Sequence, residues 1–503
     1  MCSGMGTRPK NGYNESMNKL LILPAVRLSA LIRSREVSPV EVVDAHLARI
    51  EAVNPALNAI TTSLADQARA EARRAEAALQ NGEAVGPLHG VPITVKETLD
   101  MAGVRSTGGV TWAANRVAER DAVAVARMRA AGAIVLARTN TPDAALAQET
   151  VNPIFGRTNN PWALDRSAGG SSGGEAAIIA AGGSPLGIGT DMGGSIRIPS
   201  TFCGVVGFKP SHRLIPGEGN YPHGPEELDS VSAVGALGRS VDDVALAVSL
   251  MAERPEIAAH TEIDLQGRPV VGLATGGMAP ISPEVRDRID DAVHALADAG
   301  MTPARRRLRG SFFTPLLWLD RVFRATLPGY RQEIEHGAPG PAMFPAAIWK
   351  TLWGRGPASG PVMWAVLMSG LTGLAIWPFH GALVRMREAM SRDLDSAAGN
   401  GVVVMPAFPT HAPRHNWTYF GFARTVYFLI ANTLSAPALV IPAGVGRAGL
   451  PLAVQVIGPP GTDQVVLAAG RAVEKALGGW RGPVEPNCAR LGEESVTARW
   501  RGL

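Results

Sequence analysis

The sequence predicts an α/β protein in which helices pack against the buried strands of a layered sheet. Helix-forming stretches closed by glycine recur along the chain, and these stretches are Ala122–Ala131, Asp287–Ala299 and Val465–Leu477. After the first of them, the continuous apolar run Ala133–Ala137 has the character of a buried strand. Hydrophobic residues form 46% of the 503 residues, which is enough for a large core and excludes wholesale disorder.

Further elements follow from local patterns. Between Pro24 and Asn58, apolar residues recur at helical spacing, and Ser38-Pro39 is typical of a helix start. Ala65–Leu79 is rich in Ala, Glu and Arg and predicts another helix. Short apolar runs predict buried strands at Val91–Val95, Val270–Leu273, Val402–Met405, Ala438–Ile441 and Leu452–Ile457.

The charge and the cysteines exclude several classes of protein. The net charge of +4 comes from 48 basic and 44 acidic residues dispersed along the chain. A nucleic-acid-binding face would need a longer basic stripe, so we expect no nucleic-acid partner. The three cysteines, Cys2, Cys203 and Cys488, cannot form a disulfide framework and lack metal-ligand spacing. We therefore expect reduced thiols, no bound metal and a cytoplasmic protein.

The middle of the chain contains a long apolar segment. From Gly356 to Val384 no residue is formally charged, and Val362–Phe379 alone has eighteen residues, a length that admits a membrane span. Gly370 and Gly373 interrupt this run, and no cluster of positive charge sets an orientation. We expect buried helices or the wall of an apolar pocket, with peripheral membrane contact and a true span as the alternatives.

The segment that carries the chemistry is rich in glycine. Residues 167–213 contain twelve glycines, with Ser171, Ser172 and Ser195 set among them. Such density allows close backbone packing and leaves N–H groups free to point at one spot. The interleaved apolar residues exclude a flexible linker, and the segment lacks the lysine-containing phosphate loop and the full dinucleotide fingerprint.

One alternative for this segment is an esterase of the α/β-hydrolase kind. Residues 169–173 match the Gly-x-Ser-x-Gly pattern of a nucleophile elbow, which should follow a buried strand. Residues 159–166, which precede the pattern, have the composition of a loop. A serine triad would also need a downstream acid and a histidine, for which His380, His411 and His415 are available.

The whole segment resembles the amidase signature family. The resemblance rests on four motifs: Gly169-Gly-Ser-Ser-Gly-Gly174, Gly189-Thr-Asp191, Gly193-Gly-Ser-Ile-Arg197 and Gly207-Phe-Lys-Pro210. It extends to Gly90–Lys96 and to two runs near the C-terminus, Pro437–Ala443 and Gly449–Gly458. It implies an α/β/α fold with a large mixed, mostly parallel central sheet, and the family uses no metal or cofactor.

The resemblance also implies a domain organisation. We expect a flexible N-terminal tail at residues 1–19, one amidase signature domain at 20–480 with a diverged apolar insert at about 305–400, and a C-terminal tail at 481–503. The expected partner is a small-molecule amide. A homodimer is left open, as is peripheral contact with a membrane.

Residue by residue, the resemblance implies a Ser–Ser–Lys triad. Ser195 stands at the position of the nucleophile, Ser171 at that of a bridging serine preceded by a cis peptide bond, and Lys96 at that of the base. The chemistry is consistent with these roles, since a serine hydroxyl needs a base to remove its proton. A lysine serves as that base if burial lowers its pKa, and the residues before Lys96 are apolar.

The residues around Ser195 are expected to support the reaction. The backbone N–H groups of Met192, Gly193, Gly194 and Ser195 would form an oxyanion hole. Asp191 and Arg197 are expected to form an internal ion pair that holds this loop and to take no part in catalysis.

The family divides by substrate, and this sequence resembles two of its branches. One is the A subunit of tRNA-dependent glutamine amidotransferases, a glutaminase whose acidic glutamine-binding residue is replaced here by Thr425. The other comprises the fatty acid amide hydrolases of the second type and their bacterial relatives. It shares the motifs Ser184–Gly187, Phe202–Gly204, Pro406–Pro413 and Leu477–Trp480. We therefore predict an amidase, with an apolar acyl or aryl amide as substrate.

Overall fold

The computed structural model describes residues 19–221, 231–258, 263–272, 280–322, 324, 375–420, 424 and 426–483. The two predicted tails lie almost wholly outside these ranges, as do Cys2, Cys488 and Thr425. The apolar segment 356–384 is described only from residue 375. The predicted division into tails and domain therefore stays a prediction.

Twelve α-helices have bounds within the described ranges, and residues 314–322 form a further helical stretch. They are α1 (Ala25–Arg33), α2 (Pro39–Leu57), α3 (Ala65–Gln80), α4 (Val123–Ala130), α5 (Gly173–Ala180), α6 (Arg197–Cys203), α7 (Val241–Ala252), α8 (Pro255–Ala258), α9 (Pro283–Asp298), α10 (His380–Ala398), α11 (Val426–Thr433) and α12 (Asp463–Leu477). Ser38 caps α2 through a reciprocal pair of hydrogen bonds with Glu41, so the predicted helix start is confirmed.

Fifteen strands are described, and eleven of them form one central sheet. The strands are β1 (Ile60–Ser63), β2 (Pro92–Lys96), β3 (Ile134–Thr139), β4 (Val151–Asn152), β5 (Gly156–Arg157), β6 (Asn159–Asn160), β7 (Ala163–Ser167), β8 (Leu186–Asp191), β9 (Val206–Lys209), β10 (Ala233–Gly238), β11 (Pro269–Gly272), β12 (Thr302–Ala304), β13 (Val402–Met405), β14 (Ala438–Val445) and β15 (Pro451–Ile457). The sheet order is β1-β3-β2-β8-β10-β9-β14-β15-β13-β11-β12.

The α/β class and the mixed character of the sheet are confirmed, but the expectation of a mostly parallel sheet needs correction. Four neighbouring pairs are parallel, namely β2–β3, β2–β8, β11–β12 and β11–β13. The six other pairs are antiparallel. The parallel pairs lie towards the two sides of the sheet, and the strands between them run in alternating directions.

Helices cover both faces of the sheet, which gives the predicted three layers. Side chains alternate along a strand, so Val135 packs into one apolar cluster while Ile134 and Leu136 pack into another. The first cluster includes residues of α1, α7, α9 and α12, and the second includes residues of α2, α3 and α5. The same alternation separates Ile93 and Val95 of β2 from Thr94 and Lys96.

A short hairpin stands where the sequence predicted a loop. Strands β6 and β7 pair antiparallel immediately before the first glycine-rich motif, and they lie outside the central sheet. The Gly-x-Ser-x-Gly pattern therefore follows a strand, but one that is only partly buried and belongs to a two-stranded ribbon. This is not the central buried strand that precedes a nucleophile elbow.

The membrane span considered for Val362–Phe379 falls mostly on residues outside the described ranges and stays untested by the helices given above. None of these helices combines the length and the apolar character needed to cross a bilayer.

Candidate active site

Lys96 ends strand β2 with its side chain fully buried. Its Nζ lies 2.6 Å from Ser171 Oγ and 2.8 Å from Thr190 Oγ1, on the neighbouring strand β8. Burial lowers the pKa of Lys96 to about 7, against the attraction of the Asp191 and Glu175 carboxylates, which raises it. Near neutral pH this amine is therefore a mixture of its neutral form, which can accept a proton, and its protonated form, which can return one.

Ser171 lies two residues before the start of α5. The peptide bond between Gly170 and Ser171 is cis. Gly170 has no room for a side chain, because a methyl group there would lie 2.6 Å from the Ala147 carbonyl oxygen. The glycine-rich motif thus packs directly on another loop, as its composition predicted, and directs the Ser171 hydroxyl to Lys96.

Ser195 lies in the loop between β8 and α6. Its carbonyl accepts a 3.0 Å hydrogen bond from the Ser172 N–H, which ties this loop to the residue that follows Ser171. Ser195 keeps 8% of its surface exposed, whereas Ser171 keeps 1%. Within the described ranges, the Ser195 hydroxyl has no hydrogen-bond partner, and neither serine is bonded to a histidine.

The geometry of the loop revises the predicted set of oxyanion donors. The Gly194 N–H donates to Asp191 Oδ1 at 2.8 Å and is therefore already engaged. The N–H groups of Met192, Gly193 and Ser195 have no acceptor among the described residues. Gly194 has φ +94°, and a methyl group there would lie 2.6 Å from the Phe428 ring, so only glycine fits.

Asp191 and Arg197 form a fully buried ion pair of 3.0 Å. Burial alone would raise the pKa of Asp191, but the Arg197 guanidinium overcomes this effect and holds the pKa well below its usual range. Arg197 also donates to the Phe428 carbonyl at 2.6 Å and to Gln455 Oε1 at 2.7 Å. The pair thus joins the Ser195 loop to α11 and β15.

We expect Arg197→Met to lower the free energy of unfolding by about 3–5 kcal/mol, because it leaves the Asp191 carboxylate buried without its partner. Urea denaturation followed by circular dichroism measures this change. Arg309→Met is the matched control, since it breaks the Arg309–Asp393 pair, in which 87% of the arginine side chain is exposed. An equal loss in both variants would contradict a special role for the buried pair.

Glu175, which was not among the predicted site residues, lies beneath this site. It is fully buried in the first turn of α5 and accepts hydrogen bonds from Thr94 Oγ1 at 2.6 Å and Thr139 Oγ1 at 2.9 Å. Burial raises the pKa of Glu175 to about 8. Gly187 makes room for its carboxylate. The sequence feature that could have identified Glu175 is that it is the single acidic residue in the stretch 167–190.

An apolar cluster adjoins the Ser195 loop. It consists of Ile198, Phe202, Phe408, Ala412, Phe428 and Leu429, with the partly buried Trp318 packed against it. Its members include residues from α6, which directly follows the Ser195 loop, and from α11. These six residues are buried and pack beside the loop that carries Ser195, and Trp318 belongs to the segment predicted to be a diverged apolar insert.

Two of the three histidines considered for an esterase are engaged by acidic side chains. His380 Nδ1 lies 2.9 Å from Asp320, and His415 Nδ1 lies 2.9 Å from Glu149. No group of three or more His, Cys, Asp or Glu side chains among the described residues could hold a metal ion. The expectations of no metal and no cofactor stay predictions.

Comparison with known proteins agrees with this architecture. A sequence model of the family described as Amidase matches residues 41–309 and 381–467. Fatty-acid amide hydrolase 2-B of Danio rerio is 32% identical over 500 residues, covering 95% of this chain and 94% of that protein. The A subunit of glutamyl-tRNA(Gln) amidotransferase from Roseiflexus sp. (strain RS-1) is 32% identical over 470 residues, covering 89% and 94%.

A solved structure gives the same result. The structure of 6-aminohexanoate cyclic dimer hydrolase superimposes with a TM-score of 0.75 at 27% identity, covering 92% of this chain and 99% of that one. Together with the layered fold, these matches define the protein as a hydrolase that acts on amide bonds. The chain belongs to the amidase signature family.

Proposed function

We propose that this protein is a serine amidohydrolase that forms an acyl-enzyme on Ser195, with Ser171 and Lys96 as the proton carriers. The observation that supports this most directly is the buried 2.6 Å contact between Lys96 Nζ and Ser171 Oγ. Ser172, the next residue, is hydrogen-bonded to the backbone of Ser195. A base with a pKa near neutrality is well suited to take a proton from a serine hydroxyl.

In the acylation step, Ser195 Oγ attacks the carbonyl carbon of the amide. The Ser195 proton passes to Ser171 Oγ, and the Ser171 proton passes to the neutral Lys96 amine. The electron pair of the carbonyl bond moves onto its oxygen, which becomes an oxyanion. The N–H groups of Met192, Gly193 and Ser195 are the donors proposed to stabilise it, and one such donor is typically worth ~3 kcal/mol.

Collapse of this intermediate breaks the carbon–nitrogen bond. The Lys96 ammonium returns its proton through Ser171 to the departing nitrogen, so ammonia or an amine leaves in neutral form. Water then attacks the acyl ester and gives a proton to Ser171, whose own proton passes to Lys96. When the second intermediate collapses, the carboxylic acid leaves and Ser195 Oγ regains its proton.

The substrate that fits best is an amide with an apolar acyl group, and we favour a fatty acyl amide over an aryl amide. The apolar sequence of residues 356–384, which carries no formal charge before Arg385, supports this choice, because a pocket for an apolar acyl group is lined mostly by apolar side chains. The similarity to fatty-acid amide hydrolase 2-B points the same way. We also propose a cytoplasmic enzyme, with a homodimer and membrane contact through 356–384 left as predictions.

We expect kcat/KM to rise along the series acetamide, hexanamide, decanamide and oleamide. Each buried methylene contributes about 0.8 kcal/mol, which sets an upper limit of roughly fourfold per methylene. Ammonia release from these primary amides, measured with purified protein, tests the expectation. Anilides in the same panel test the aryl alternative, and glutamine tests the glutaminase alternative. A value of kcat/KM that falls as the acyl chain lengthens would contradict the fatty acyl substrate.

A further inference from the structure

Trp318 makes a specific polar contact with the loop that carries Ser195. It lies in the helical stretch 314–322, and its indole Nε1 donates to the Met192 carbonyl oxygen at 2.8 Å. Three residues further on, Arg321 Nη1 donates to the Thr433 carbonyl at 2.6 Å. The stretch is thereby anchored to the end of α11, so the indole approaches the loop from a fixed position.

The indole ring also packs on the next residue of the loop. A methyl group placed on Gly193 would lie 3.0 Å from the Trp318 ring and 3.4 Å from Leu429. The peptide unit between Met192 and Gly193 is therefore held at its carbonyl by a hydrogen bond, and the indole ring lies close to the Cα of Gly193. Both residues keep part of their surface accessible, whereas Gly194 and Ser195 are buried.

The held carbonyl determines where the Gly193 N–H points. The Met192 carbonyl and the Gly193 N–H belong to one peptide unit, which is trans, so they point in opposite directions. While the carbonyl faces the indole, the N–H faces away from it, and it has no acceptor in the described part of the chain. Rotation of this unit would replace a donor by a carbonyl oxygen, and glycine at position 193 lowers the steric barrier to such rotation.

We propose that Trp318 is a positioning residue that fixes the Met192–Gly193 peptide so that the Gly193 N–H serves the oxyanion. This proposal rests on the proposed function, because it assigns a role within the same reaction. Trp318 itself does not touch the reacting atoms. It acts by excluding the rotated peptide, whose carbonyl oxygen would repel the developing negative charge.

The test compares Trp318→Phe, which removes the N–H donor, with Trp318→His, whose Nε2 occupies the equivalent ring position and can donate. Rates are expressed per active site titrated with a fluorophosphonate, so that only folded sites are counted. We expect Trp318→Phe to lower kcat about tenfold with KM within about twofold, since a misplaced donor costs less than the ~100-fold loss typical of a deleted one. Trp318→His should recover most of the loss.

A matched control is available at Trp162. Its indole N–H also donates to a backbone carbonyl at 2.8 Å, that of Cys203, but at the far end of α6. Trp162→Phe should leave kcat unchanged. A second readout is the affinity of a trifluoromethyl ketone, which forms an oxyanion on Ser195, and it should fall in Trp318→Phe in parallel with kcat/KM.

Three outcomes would overturn the proposal: unchanged kcat and ketone affinity in Trp318→Phe, an equal loss of kcat in Trp162→Phe, or no recovery in Trp318→His. If Trp318→Phe gives no titratable sites, the kcat of Trp318→His tests the proposal. This variant keeps the donor, so its kcat must stay near that of the wild type. Failure of the proposed function is recognised separately. In that case the wild-type protein itself gives no label on Ser195.

Discussion

Replacing Ser195 with alanine is expected to lower amide hydrolysis by about 10⁵-fold or more, the scale seen when a serine nucleophile is removed. The substitution deletes the atom that forms the acyl-enzyme, while the backbone N–H of residue 195 and the loop around it remain. The measurement is ammonia release from the best substrate of the amide series. Peptide mapping after fluorophosphonate treatment should show the label on Ser195 in the wild type and none in the variant.

Ser200→Ala is the matched control for this prediction. Ser200 is a buried serine on α6, five positions after Ser195, and its hydroxyl donates to the Ile196 carbonyl at 2.8 Å. Its loss removes only a local side-chain to backbone bond, so the rate should stay within about threefold of the wild type. Undiminished hydrolysis in Ser195→Ala would mean that the nucleophile is wrongly assigned, whatever the substrate.

The relation between Lys96 and Ser171 could be anticipated because both stand in motifs with specific sequence. The hydrogen bond between their side chains joins residues 75 positions apart, and the resemblance supplied that pairing. Trp318 lies in a segment that carries no such motif, and its contact with Met192 spans 126 positions. The composition of this segment predicts only apolar surroundings, so the contact of Trp318 with the Ser195 loop could be recognised only in the folded structure.

Local sequence patterns also did not predict the directions of the strands in the sheet or the N–H groups of the Ser195 loop that remain available. The run that became β14 was recognisable as a buried strand, but its antiparallel pairing with β9 depends on a connection of more than two hundred residues. In the same way, glycines at 193 and 194 predicted exposed N–H groups without saying which ones remain available. That distinction depends on the Asp191 carboxylate, which turns back to accept from Gly194.

The pH dependence of the reaction is expected to follow Lys96. Only the neutral amine can accept the Ser171 proton, and the neutral fraction rises as pH increases through about 7, the pKa to which burial lowers this group. The profile of kcat/KM against pH should therefore rise through that region and level off above it. An unburied lysine would instead place the rise near its ordinary pKa of about 10.4.

Lys96→Met should lower kcat/KM by roughly a thousandfold and remove the rise near pH 7, because general-base catalysis contributes ~10²–10⁴-fold. Lys209 offers a stringent control, since burial lowers its pKa to about 7 as well. The Lys209 amine donates to the Pro210 carbonyl at 2.7 Å and the Ala436 carbonyl at 2.8 Å, without contact to either serine.

The two buried lysines can therefore be separated by the shape of the pH profile. Lys209→Met is expected to reduce stability, yet its kcat/KM per titrated site should still rise near pH 7, since Lys96 remains. If the rise disappeared in Lys209→Met and persisted in Lys96→Met, the base would be misassigned. What distinguishes Lys96 is its contact with a hydroxyl that can pass on a proton, whereas Lys209 donates to carbonyl oxygens, which have no proton to give.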